Sequence, residues 1–216
     1  MPSFSDLQNH VDSLIRKGAT GSVFVKRHES SDAEIAALKD ATGLLALPTG
    51  YTDVGNITKD QGVSWTREVE TSDVMSLGSA SPTRTDIVSV TSGMSFTMQE
   101  SKRQAFELHE GVDLSTVTYD VNGNISWDAP DLPADTYYRV LALFKDGEGA
   151  DAVYLAKWLP RAKVIDTGEQ SWNQQNEIQR PVTLRAFVDD TAGTAVRNLW
   201  AGSTARLTAM GFDAAV

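Results

Sequence analysis

Few residues of this chain have the types and spacing that catalysis or metal binding requires. The three histidines, His10, His28 and His109, stand far apart, and neither "RHES" nor "LHEG" supplies the second histidine of a zinc-protease helix. The chain has no cysteine, which excludes disulfides, cysteine-zinc sites and thiol nucleophiles. It also has no G-x-S-x-G nucleophile turn and no glycine-rich phosphate loop. The sequence therefore indicates a protein that is not an enzyme, with no catalytic residue and no cofactor.

One loop approaches the ligand spacing of a calcium site. In "DVNGNISWDAPD", Asp120, Asn122 and Asn124 alternate as calcium ligands do, and Asp131 falls at the twelfth position. The glycine, however, is at the fourth place instead of the sixth, and the twelfth residue is an aspartate where a bidentate glutamate is usual. We interpret the segment as an Asn-Gly hairpin turn, with a cation site as the alternative, and predict no metal site.

Composition narrows the possible partners. The 216 residues suffice for one large domain, or for one domain with an appendage. The formal net charge is −10, which disfavours tight binding to a phosphate backbone, and no Lys/Arg-rich stretch overrides it. No apolar run reaches the roughly 18 residues that a membrane span needs, and the start lacks the features of a secretory signal. We therefore expect a cytoplasmic protein without a membrane partner.

The N-terminal part differs in pattern from the rest. Apolar spacing predicts a helix over residues 6–16, "GSVFVKR" reads as a short strand, and "AEIAALKDATG" reads as a second helix. Ser31 and Glu34 would form the capping box of that second helix. "LPTGYTDVGN" is rich in turn residues and marks the boundary between an N-terminal helical extension, residues 1–46, and a β domain, residues 47–216.

Two long strands of the β domain have one apolar and one polar side. Both "GVSWTREVE" and "RTDIVSVTSGMSFTMQES" alternate with period two. The polar side carries hydroxyl, amide and carboxylate groups: Ser64, Thr66, Glu68, Glu70, Ser89, Thr91, Ser95, Thr97 and Gln99. A long connection of small residues, predicted over 71–83, joins the strands and contains Val74, Met75, Leu77, Gly78 and Pro82.

Further elements complete a mainly β prediction. "SKRQAFELHEG" predicts a short helix with Ser101 as its cap, and the segment 137–144 is apolar on both sides, which predicts a central strand covered on both faces. "RPVTLRAFVDDTAGTAVRNLW" predicts a last hairpin, and "STARLTAMGF" a terminal helix. The predicted fold class is an antiparallel β-sandwich or barrel with a flanking short helix and an α-containing N-terminal extension.

The order of these segments resembles a known family. "GYTDVGNITKDQG", the charged strand, the "PTR" loop, "FTMQE", "PRAKV" and the closing "TLRAFVD" follow one another as in the major tail, or tail tube, protein of long-tailed (siphovirus-type) phages of actinobacteria. The similarity extends over roughly residues 47–200. No family pattern is recognised in the N-terminal extension.

The resemblance implies a structural role in the virion tail. Such proteins are expected to assemble in the host cytoplasm as homo-hexameric rings that stack into a tube. The tape measure protein would lie inside that tube, and tail terminator and baseplate or distal tail proteins would lie at its ends. Genomic DNA would pass through without tight binding. In this setting the polar strand faces would line the bore, where cations would retard DNA. The small-residue connection would be an assembly arm.

Other classes stay open on the sequence alone. A plain solvated sandwich face would have the same composition as a bore wall. An Ig-like virion surface or adhesion module would show similar alternation and acidity, and a tail terminator protein or a secreted effector tube would share the fold.

Overall fold

The computed structural model describes residues 4, 8 and 10–214. The described part is mainly β and antiparallel, with short helices, so the predicted fold class is confirmed. Its elements are β1 (Thr20–Arg27), β2 (Thr52–Asp53), β3 (Val63–Val74), β4 (Arg84–Met98), α1 (Arg103–Glu110), β5 (Tyr138–Asp146), β6 (Val153–Thr167), β7 (Arg180–Ala186), β8 (Arg197–Ala201) and α2 (Thr204–Ala209). The first predicted helix lies partly outside the described residues, and a short 3-10 helix occupies Asp12–Leu14.

The eight strands form one sheet whose two halves enclose a core. The strand order is β2-β1-β5-β6-β7-β4-β3, and β8 also pairs with β6. β6 pairs with β8 through its first half and with β7 through its second half. Val23 and Val140 of one half pack in the same apolar cluster as Met94 and Leu184 of the other. We call β2-β1-β5-β6-β8 the first layer and β6-β7-β4-β3 the second layer.

A bulge in β6 determines which of its side chains face the core. Pro160 and Arg161 of β6 together lie opposite one residue of β5, Arg139. Proline fits this position because a bulge interrupts the ladder of backbone hydrogen bonds that it could not complete. As a result, Leu159 and Ala162, three positions apart, are both buried in the core between the layers. Beyond the bulge, the alternate residues of β6 point to the outer face of the second layer.

β5 is covered on both faces, as its apolar composition predicted. Val140 faces the core between the layers. Leu141, with Trp158 of β6, belongs to a second apolar cluster on the outer face of the first layer. Ile35 and Leu38 of the N-terminal segment cover this second cluster and are themselves buried. The first layer therefore has one face against the second layer and the other against residues 28–47, which we call the covering segment.

The predicted second helix is wrong, because the covering segment has no α-helix. Two of its backbone carbonyls accept hydrogen bonds from arginine side chains of the first layer. Arg139 Nη1 donates to Ala33 O at 2.9 Å, and Arg197 Nη1 donates to Ile35 O at 3.1 Å. Glu34, the predicted capping residue, pairs with Arg197 at 2.9 Å. The described residues 10–46 also supply β1 to the sheet and contain no α-helix, so over these residues the predicted helical extension is wrong. The boundary between residues 46 and 47 stays a prediction.

Buried charges fix the covering segment to the first layer. Arg139 is fully buried, 3.5 Å from an oxygen of Asp32 and 3.9 Å from an oxygen of Asp189. His28 Nε2 lies 2.6 Å from the same Asp189 carboxylate. Burial raises the pKa of Asp189, but hydrogen bonds from the Ala192 amide and His28 and the charge of Arg139 outweigh it, so the pKa lies below its ordinary value.

The remaining local predictions have mixed outcomes. α1 buries Ala105 and Leu108 and ends at Gly111, whose φ of 65° is the left-handed conformation that glycine favours. Ser101 does not cap α1, because Lys102 is the N-cap residue and makes no side-chain cap bond.

The predicted hairpin at "VNGN" is a turn without flanking strands. The predicted last hairpin is also wrong, since β7 and β8 both pair with β6. The terminal helix is present as α2.

Val140→Asp is expected to leave no soluble folded protein. Val140 is completely buried at the centre of the core, and an unpaired carboxylate there costs several kcal/mol. The matched control is Val121→Asp, because Val121 is fully exposed and should tolerate the change. Solubility on expression and circular dichroism measure both variants. A soluble, folded Val140→Asp protein would show that this strand face is open to water.

Asp189→Asn should lower the free energy of unfolding at pH 7 by about 3 kcal/mol, since it leaves Arg139 buried without this anion. The pKa of Asp189 is lowered in the folded state. Its contribution is therefore complete above its unfolded pKa of about 4 and is lost as the pH falls through the folded value. Urea unfolding at pH 7 and at successively lower pH measures the difference between wild type and variant, which should shrink on acidification. Asp190→Asn, at an exposed neighbour, is the control.

Candidate assembly surface

The polar sides of β3 and β4 form one continuous face. Ser64 pairs with Ser95, and Glu70 pairs with Ser89, so the side chains of each pair project from the same side of the sheet. This face is the outer face of the second layer, opposite the buried Met94. The predicted lumen-facing residues found on it, all exposed or half-buried, are Ser64, Thr66, Glu68, Glu70, Ser89, Thr91 and Ser95.

Two predicted lumen-facing residues depart from this arrangement. Thr97 is buried, and its hydroxyl donates to Gln61 Oε1 at 3.0 Å. Gln99 lies beyond the end of β4 and donates from Nε2 to Glu177 Oε1 at 2.6 Å. Alternation along β4 predicts the direction of these side chains but contains no information about the segments that pack over them.

The face also carries cations, contrary to the sequence-based expectation. One row of paired residues runs across the second layer from Thr66 through Gly93 and Arg185 to Lys163. A Cβ at Gly93 would lie 2.8 Å from Leu184 O, so this position has no room for a side chain. Alternation along β7 and β6 predicts that Arg185 and Lys163 point to this face, but only once the bulge in β6 is known.

The cations on this face have few anionic partners. Arg185 donates from Nη2 to Thr91 Oγ1 at 3.2 Å. Arg161, a bulge residue of β6 next to this face, lies 4.3 Å above the ring of Tyr137. Among the described residues no carboxylate pairs with either arginine, while Lys163 pairs with the exposed Asp135 at 2.6 Å.

Beyond the end of β7, β3 and β4 continue as a projecting hairpin. β7 pairs with β4 only from Ser92 onward, whereas β3 and β4 stay paired as far as Val74 and Arg84. Every residue from 66 to 90 is exposed. We call residues 67–91 the hairpin arm. Residues 75–83 form the loop, and residues 71–74 of the connection predicted over 71–83 belong to β3, which extends to Val74.

The hairpin arm exposes apolar side chains. A register shift after Glu70 brings Ile87 opposite Thr71, which places Ile87 on the same side as Val69 and Val90. These three are 68%, 43% and 49% exposed, respectively. Met75 and Leu77 at the tip are also exposed. A two-stranded hairpin is at best marginally stable alone in water, and a contiguous exposed apolar patch typically marks an interaction site.

The second layer ends in an unpaired strand edge on each side. Within the described part of the chain β3 pairs only with β4, which leaves its other edge free along Val63–Val74. β6 pairs with β5 as far as Ala162, and among the described residues no strand continues along that edge over 163–167. This part of β6 borders a cleft of about 600 Å³. Unpaired edges present rows of backbone donors and acceptors that can accept another strand.

The described residues offer no evident site for metal chemistry. No group of three or more His, Cys, Asp or Glu side chains among them could hold a metal ion. In the calcium-like loop, one oxygen of Asp120 accepts hydrogen bonds from the amides of Asn122 and Asn124, both at 2.8 Å, and so holds the turn. A membrane-crossing helix is likewise not found in the part of the chain that the structure describes.

The described residues define an antiparallel β protein whose second layer has an open strand edge on each side and a projecting hairpin. The chain belongs to the phage tail tube protein family, because the model of that family matches residues 9–200. The specific likeness to long-tailed phages of actinobacteria is not part of that finding. No curated protein matches the chain.

Several solved structures resemble the chain at low identity. A chain of the anti-feeding prophage baseplate, solved by cryo-EM with 6-fold symmetrisation, is 10% identical with a TM-score of 0.44, covering 86% of this chain and 96% of that one. A chain of the PVC sheath-tube complex, from an extracellular contractile injection system in the extended state, is 8% identical with a TM-score of 0.44, covering 94% and 100%. Hcp1 from Salmonella typhimurium is 11% identical with a TM-score of 0.29, covering 86% and 96%. Family membership rests on the family model alone.

Proposed function

We propose that this protein is the repeating subunit of a phage tail tube, in which identical copies form hexameric rings that stack into a conduit for DNA during ejection. The observation that carries the proposal is the second layer, a four-stranded sheet with a polar outer face and a free edge at each side. Copies joined edge to edge would close this sheet into a barrel and so remove the exposed edges. The polar face would then line the bore.

The proposed partners follow from this role. The subunit contacts copies of itself within and between rings, the tape measure protein inside the tube, and terminator and baseplate or distal tail proteins at its ends. DNA passes without tight binding, because the net charge of −10 repels phosphate. We place the protein in the virion tail of a siphovirus-type phage of actinobacteria, assembled in the host cytoplasm, without enzymatic activity.

Electron microscopy of the purified protein tests the proposal. Wild-type protein, concentrated in stages, should form rings and then tubes of constant diameter in negative stain. Single rings that never stack would favour the tail terminator alternative. Monomers at every concentration, even with purified tail initiation complexes, would favour an Ig-like surface module and contradict the tube subunit.

Replacing residues 75–83 with Asn-Gly should leave the fold intact and abolish stacked tubes. Val74 and Arg84 face each other across the hairpin, so a two-residue turn can connect them. The replacement removes the exposed Met75 and Leu77, whose burial against a neighbour would offset the cost of ordering the tip. Circular dichroism reports the fold, and negative-stain microscopy reports the tubes. Full-length tubes from the shortened protein would show that the tip is a passive connector.

Ser95→Lys should slow DNA ejection without changing tail length. The Ser95 side chain is half-buried on the polar face, in β4 and not in an edge strand, and a lysine there on every subunit would add salt-dependent contacts to phosphate. Phage particles carrying the variant are triggered in vitro, and DNA release is followed by dye fluorescence at several salt concentrations. Ser95→Gln is the uncharged control. Equal release rates for both variants would place this face outside the bore.

A further inference from the structure

We infer that neighbouring subunits join β3 of one copy to the 163–167 edge of β6 in the next, and that Glu68 and Glu70 select this seam by pairing with Lys163 and Arg185. This inference rests on the proposed ring and names the residues that would specify it. The partner is therefore a second copy of this chain.

Strand direction favours these two edges. The second layer contains four strands, each antiparallel to its neighbour. With an even number of alternating strands, the first and last strands, β6 and β3, run in opposite directions. Rotation about a ring axis keeps every copy in the same orientation, so β3 meets β6 of the next copy antiparallel. The seam thus continues the hydrogen-bond pattern of the sheet.

The free edge of β6 is accessible for such pairing. It begins where β5 stops pairing, after Ala162, and it borders the cleft of about 600 Å³. The opposite edge of the same residues is already occupied by β7. An incoming strand would therefore extend the second layer without displacing a strand of the described fold.

Charge on the outer face is complementary across this seam. Glu68 and Glu70 project from β3, and no cation of the described residues forms an ion pair with either carboxylate. Lys163 and Arg185 project from the same face at the other side of the layer. Arg185 has no carboxylate partner within the described chain. Lys163 has only the exposed Asp135, a pairing of the weak surface type.

The rows of the sheet bring these groups within reach. Lys163 and Thr66 lie in the same row, so an unshifted seam places the neighbour's lysine beside Thr66. Glu68 is two residues further on the same face, which is the diagonal position that long side chains reach across an antiparallel pair. A closed barrel requires the register of its strands to be offset around the ring. An offset in the direction that moves Glu68 toward the neighbour's Lys163 brings these two residues opposite each other.

The seam also accounts for cations on a face that DNA would pass. Each copy carries Lys163 and Arg185 on that face, and unneutralised cations would retain phosphate. Pairing with Glu68 and Glu70 of the neighbour neutralises them within the wall.

Reciprocal charge reversal tests the inference. The acidic-edge variant is Glu68→Lys with Glu70→Lys, and the basic-edge variant is Lys163→Glu with Arg185→Glu. Alone, each variant places like charges at every seam, so the concentration needed for ring or tube formation should rise by about tenfold or more. Mixed in equal amounts, the variants can alternate around a ring of even number with opposite charges at every seam. Assembly should then return to within about twofold of wild type, measured by sedimentation and negative-stain microscopy.

Matched controls separate local charge from net charge. Asp60→Lys with Asp190→Lys changes net charge as the acidic-edge variant does, and Lys17→Glu with Lys59→Glu changes it as the basic-edge variant does. All four positions are exposed and lie outside the polar face. Both controls should assemble like wild type. The neutral pairs Glu68→Gln with Glu70→Gln and Lys163→Gln with Arg185→Gln serve if a reversed variant does not fold, and should show a smaller rise.

The outcomes distinguish the two proposals. Suppose that wild type forms rings but a folded reversed variant assembles equally well alone. The seam is then wrong, and the proposed ring is still supported. The same conclusion holds if wild type forms rings and the mixture of variants does not recover assembly. If control variants lose assembly to the same extent, net charge and not the seam is responsible, and the seam is again wrong. If wild type forms neither rings nor tubes, the proposed function is wrong, and so is the seam that depends on it.

Discussion

The long strand β6 is the constraint on which the rest of the structure depends, because it belongs to both layers. It pairs with β5 along one edge and with β8 and then β7 along the other. The bulge at Pro160 and Arg161 lets the strand contribute both Leu159 and Ala162 to one core, while Lys163 faces outward. Without this irregularity a single alternation would run through the strand, and one of the layers would present its apolar side to water.

The burial of the first layer on both sides explains the N-terminal conformation. A strand as apolar as β5 requires two covers, and only one of them is the second layer. The covering segment supplies the other. Its local sequence favours a helix, but Ile35 and Leu38 reach the cluster while Arg139 and Arg197 satisfy backbone carbonyls of the same segment. Tertiary contacts therefore override local propensity, at a place where buried charges need partners.

Sequence reasoning recovered the features that depend on alternation. The polar face of β3 and β4, the two-sided burial of β5 and the end of α1 at Gly111 all follow from periodicity or from a residue's backbone preference. It missed features set by distant parts of the chain. The burial of Thr97 depends on Gln61, and the outward direction of Lys163 depends on a bulge that pairing with β5 creates. Neither contact leaves a local signal in the sequence.

The exposed hairpin arm has a consequence for turnover of the protein in the producing cell. Exposed loop tips of small and polar residues are preferred sites of proteolytic cleavage, and the tip of the arm, residues 75–83, is such a loop, next to the exposed Arg84. A free subunit thus offers cellular proteases a ready substrate within a fold that is otherwise compact. Association that covers the arm would also shield it, so we expect free copies to be cleaved faster than associated ones.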